Sequence, residues 1–115
     1  MSIKPVNHSR KKNTWFSVYK ISGESMLPEY KEGDFVIINE IAFFIRHLQI
    51  GDVIIFNHPT YGFLIKKIDS VLPEVGFFVS GSHKNSLDSS KLGLIPISEV
   101  KGKVVWHIRK PSLRQ

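Results

Sequence analysis

The sequence predicts a mainly β protein, one small domain built on a coiled β-sheet, and three observations predict it. Short runs of β-branched and aromatic residues recur along the chain, separated by turn-forming residues. Two runs are entered directly from a Gly-Asp pair, Gly33-Asp34 and Gly51-Asp52, where a glycine able to take positive φ turns the chain into a strand. The length, 115 residues, suffices for a single hydrophobic core and leaves no room for two.

Residues 1–13 are polar and basic and read as a flexible arm, with order beginning near Trp15, a folded domain over 14–109 and a loose tail over 110–115. The expected strands are Trp15 to Ile21, Phe35 to Ile38, Val53 to Phe56, Phe63 to Val71, Gly76 to Val79 and Lys103 to Ile108. The stretch from Glu40 to Gln49 fits neither the helical nor the strand period and is open between a helical turn and a mobile connection.

Composition narrows the chemistry. The absence of cysteine excludes disulfide staples, thiolate catalysis and Cys-ligated zinc or iron-sulfur centres. The histidines at 8, 47, 58, 83 and 107 share no short metal-ligand spacing, so no metal and no cofactor is expected. The net charge of +6 sits at the ends, with five bases and no acid in residues 1–20 and five more bases in residues 101–115. Such ends suit nucleic acid, an anionic membrane surface or simple solubility; solvated tails are the expectation, with no nucleic-acid partner. Residues 1–20 hold no secretory signal, and the most apolar stretch, Ile41 to Ile45, is too short to cross a bilayer. A soluble, cytoplasmic protein is expected, with peripheral membrane contact through the basic arm left open.

The stretch SGESMLPEYKEGD, residues 22–34, sets Ser25 between an acid and a methionine and follows it with Pro28. A serine hydroxyl is a weak nucleophile until a base takes its proton. None of the histidines stands in a triad motif. A lysine serves only when neutral, which requires apolar burial to lower its pKa from about 10.4 by roughly two or three units. One stretch offers that setting, GFLIKKIDSV, residues 62–71. On a strand, Lys66 shares a face with Leu64 and Ile68, and Lys67 shares one with Ile65 and Asp69. A carboxylate neighbour keeps Lys67 charged, so Lys66 is the candidate base. The alternative is a pair of edge-strand lysines whose amines snorkel to water.

Taken in order, SGESMLPEYKEGD, FVIIN, GDVIIF, LIKKI and GSHKNSLDSSKLGLIPISEVKGKVV resemble the boxes of the signal peptidase I family, peptidase family S26, of Ser/Lys serine peptidases. The resemblance runs from about Ile21 to Trp106. It implies a pseudo-barrel β domain of the signal peptidase and repressor-protease type, in which Ser25 attacks a peptide bond, Lys66 is the general base and an acyl-enzyme forms. It further implies that Met26 packs beneath the nucleophile, that Pro28 fixes its turn, and that the Ser25 backbone N–H is an oxyanion donor. Gly81, Ser86 and Asp88 match a supporting box, where Ser86 would orient the lysine amine and Asp88 would brace the loop. The implied partner is a precursor protein or peptide that loses an N-terminal leader. A compact chain without a membrane anchor is similar to the soluble relatives that trim nickel superoxide dismutase precursors.

The chain also departs from the family pattern. Gly23 stands where the family often has a hydroxyl donor, Glu29 replaces threonine, Lys67 replaces arginine, and Ser82, His83 and Ser90 replace Asp, Asn and Arg. These changes weaken ion pairs in the floor of the site while leaving Ser25 and Lys66 in place, so an inactive relative is one alternative. The self-cleaving repressor family uses an equivalent Ser/Lys pair but needs an Ala-Gly or Cys-Gly bond, and neither dipeptide occurs here. A basic β module binding nucleic acid would use the charged ends with Trp15, Phe16 and Tyr19, yet the bases gather at the ends rather than along one sheet face.

Overall fold

The computed structural model describes residues 3–5, 15–23, 28–80 and 89–111. Among them lie eight strands: β1 (Ile3–Pro5), β2 (Phe16–Ile21), β3 (Phe35–Asn39), β4 (Val53–His58), β5 (Gly62–Leu72), β6 (Gly76–Ser80), β7 (Ile95–Pro96) and β8 (Val100–Ile108). Two short helices, α1 (Ala42–Arg46) and α2 (Ser89–Leu92), and a 3-10 turn over Ile97–Glu99 complete the fold. The strands form one antiparallel sheet in the order β1-β2-β3-β8-β4-β5-β6-β7, and the mainly β expectation is met.

Alternation along the strands sorts the apolar side chains into two clusters. Ile54 and Phe56 of β4 join Leu64 and Ile68 of β5, Phe77 and Val79 of β6, and Ile95 of β7. The opposite faces of β4 and β5 present Ile55 and Ile65 to Ile3, Tyr19, Ile21, Val36 and Ile38. The continuous apolar runs in these two strands therefore mark burial on both faces. The sheet also curls: β1 and β5 stand five places apart in the strand order, yet they pack on each other, with Ile3 and Ile65 in one cluster.

Both Gly-Asp pairs form the same turn. Gly33 and Gly51 each have φ of +94°, a left-handed conformation that favours glycine. The Asp34 and Asp52 carboxylates accept the backbone N–H groups of Lys31 and Gln49 at 3.0 and 2.9 Å. The aspartates' own N–H groups return to the carbonyls of the same two residues at 2.9 and 3.1 Å. Each turn is thus closed from both sides, and a strand follows directly.

Three places where the structure adds to the sequence reading have local causes. The loose arm assigned to residues 1–13 contains β1, because Ile3, 1 % exposed, gains a place in the core by pairing beside Ile21. Contacts of the domain extend into the assigned tail, where the Lys110 N–H donates to Asp34 Oδ1 at 2.8 Å. The open stretch over 40–49 contains α1, with Ile45 and Leu48 packed on the first cluster.

Candidate active site

The connection between β2 and β3 holds Ser25 and is pinched at its base. The Ile21 N–H donates to the Asp34 carbonyl at 2.8 Å, and the Gly33 N–H donates to the Ile21 carbonyl at 2.9 Å. Asp34 secures this closure to the far end of the chain. Its carboxylate, buried to 3 % exposure, accepts the N–H groups of Lys31 and Lys110 and the Nε2–H of His107, the last at 2.7 Å. Tyr30 stacks on the His107 ring at 4.4 Å between centroids. Burial pushes the Asp34 carboxyl up, but the Lys110 and Lys31 N–H groups and His107 outweigh it and hold the pKa below the ordinary carboxylate value.

Lys66 lies near the middle of β5, opposite Ile54 of β4, and is 0 % exposed. Leu64 and Ile68, its neighbours on the same strand face, belong to the first apolar cluster. The snorkelling alternative therefore fails for Lys66, whose whole side chain is enclosed. Lys67 differs from it. Its side chain is 37 % exposed, and its Nζ lies 3.2 Å from Oε1 and 3.4 Å from Oε2 of Glu29.

Asp69, expected beside Lys67, has another partner. The β5–β6 register shifts between Ile68 and Ser70, and the Asp69 carboxylate accepts the Ser80 hydroxyl at 2.9 Å. Sequence reasoning missed Glu29 as the carboxylate of Lys67, since 38 residues separate the two. The resulting pair joins the connection holding Ser25 to the strand holding Lys66. Lys67 also stands opposite Ser80, the residue before Gly81. Glu29 of the β2–β3 connection and Ser80 of β6 thus both meet β5 at Lys67. Ser25, Met26, Gly81, Ser86 and Asp88 themselves lie outside the described residues.

Gly23 and Pro28 flank the serine within the described residues, with Pro28 exposed in the turn that leads to Glu29. Gly23 has φ of +96°, a conformation in which an L side chain is strained. Gly23→Ser is expected to cost about 1 kcal/mol of stability in urea unfolding. A stability equal to that of the unsubstituted protein would contradict the strain argument.

The profile described as "Signal peptidase, peptidase S26" matches residues 11–71, just over half of the chain, and runs through β2 to β5. The chain belongs to this peptidase family. It is 32 % identical over 57 residues to "Signal peptidase I V" of Bacillus subtilis (strain 168). That alignment takes in 50 % of this chain and 34 % of the relative, so the chain matches about a third of that protein's length. The S26 match covers both the connection with Ser25 and the strand with Lys66. Among the described residues, no helix is long and apolar enough to cross a membrane.

Proposed function

We propose that this S26 chain is a serine endopeptidase that removes an N-terminal leader from a precursor protein, with Ser25 as nucleophile and Lys66 as general base. The observation that carries this reading is the complete burial of Lys66 in an apolar strand, one residue from the Lys67–Glu29 bridge to the Ser25 connection. Enclosing an amine in apolar surroundings disfavours its ammonium form, as a proton acceptor requires.

In the proposed reaction, Ser25 Oγ attacks the scissile carbonyl carbon while Lys66 Nζ takes the hydroxyl proton. The Ser25 backbone N–H donates to the developing oxyanion. Collapse of the tetrahedral intermediate breaks the C–N bond, and the Lys66 ammonium returns the proton to the leaving amine. Water then attacks the acyl ester, gives its proton to Lys66, and releases the new carboxyl end with the Ser25 hydroxyl restored. Ser86 is assigned to orient the amine and Asp88, with Gly81, to shape the loop; Met26 and Pro28 hold the nucleophile's turn. No metal or cofactor enters any step.

The candidate substrate we assign is the precursor of a nickel superoxide dismutase. Co-expression with such a precursor, followed by mass measurement of its new N-terminus, tests the assignment. The pH profile tests the base. A lysine acts only after losing its proton, so kcat/KM should rise from neutral into alkaline pH. A flat profile would overturn Lys66 as the base.

A further inference from the structure

The environment of β1 points to a resident occupant of the peptide-binding edge. β2 ends at Ile21, four residues before Ser25 in the sequence, and β1 pairs along its edge, with Ile3 opposite Ile21, Lys4 opposite Lys20 and Pro5 opposite Tyr19. β5 also offers an edge near Lys66. Its pairing with β6 extends from Leu72 back to Lys67, so Gly62 to Lys66 have β4 on one side and no β6 partner on the other among the described residues. β1 packs against β5 as well as pairing with β2. It therefore fills the space between the two strands associated with the nucleophile and the base.

The walls of this slot are apolar. Ile3 is 1 % exposed and shares a cluster with Tyr19 and Ile21 of β2 and Ile65 of β5; Phe63 packs against the same cluster. Tyr19 and Phe63 meet across it with ring centroids 5.8 Å apart. A protease substrate that adds to a strand edge needs backbone partners and pockets for alternate side chains. β2 supplies the backbone partners and the cluster around Ile3 supplies an apolar pocket, and β1 uses both.

We propose that β1 is an intramolecular competitor that holds the peptide slot until an extended substrate displaces it. This inference rests on the Ser25/Lys66 reading and adds a control to the same site. A tethered segment competes at an effective concentration on the order of millimolar, so even a three-residue strand raises the apparent KM. β1 is assigned as an occupant, with no bond of its own cut.

A disulfide lock tests the proposal in the full chain. Lys4 and Lys20 are opposite residues of an antiparallel pair, a separation that suits a disulfide, and no native cysteine competes. The Lys4→Cys/Lys20→Cys protein is assayed oxidised and reduced on a leader-bearing precursor. The oxidised form should show at least a tenfold higher KM than the reduced form of the same protein, or no cleavage, with reduction restoring cleavage. Equal kcat and KM in both states would overturn β1 as a competitor and leave the catalytic reading standing. If neither state nor the unsubstituted protein cleaves, the catalytic reading fails, and binding of a fluorescent leader peptide decides the competitor role separately. Weaker binding to the oxidised form supports the competitor; equal binding removes it. A merely structural β1 would leave both readouts unchanged on locking.

Discussion

Lys66→Met is expected to lower kcat/KM for a leader-bearing precursor by roughly 10²–10⁴-fold, the range for removal of a positioned general base. The methionine chain is unbranched and apolar, so it can fill the space beside Ile54, Leu64 and Ile68 that Lys66 occupies with no exposure. Urea unfolding of the variant is measured in parallel, and a folded but inactive protein is the expected result. Activity and stability would then separate, as a structural lysine would not allow. Ser25→Ala should cause a loss of the same order, and the double variant should lose little more, because the two groups act as a unit. Lys67→Ala should reduce activity only in part, since its ammonium meets Glu29 rather than serving as the base. Full activity in Lys66→Met would end the base assignment.

Asp34→Ala is expected to destabilise the protein by about 3 kcal/mol at neutral pH, since it strips a buried group from its partners. The N–H groups of Lys31 and Lys110 and the His107 ring all lose their common acceptor. The effect should depend on pH. The folded Asp34 carboxyl lies below its ordinary pKa, so the unfolded chain takes up its proton first as acid is added. The stabilisation is therefore complete above about pH 4 and disappears as pH falls through the lower folded value. Urea unfolding of both proteins across that range checks this. A constant difference between them down to strong acid would contradict the role given to Asp34.

The strands were legible where β-branched and aromatic side chains cluster, as in VIIF of β4 and FVII of β3. The face of Lys66 was legible for the same reason, because strict alternation places it with Leu64 and Ile68. β1 was not legible. Its three residues include a lysine and a proline, and only the core position offered to Ile3 identifies them as a strand. β7, two residues long, is below what any periodicity can mark. These contacts escaped detection because Glu29 meets Lys67, and Asp34 meets His107, across 38 and 73 residues. Asp69, at the register shift between Ile68 and Ser70, meets the hydroxyl of Ser80, the residue opposite Lys67.

The place of β8 bears on when such a protein can begin to act. It follows all the other strands in the chain but lies fourth of eight across the sheet, between β3 and β4. During synthesis, the ladder with the serine's connection and the ladder with the buried lysine emerge without the strand that joins them. His107 and Lys110, which secure Asp34, arrive later still. The two halves of the proposed site are therefore joined only once β8 has paired with both β3 and β4, a long-range step of the kind that forms slowly.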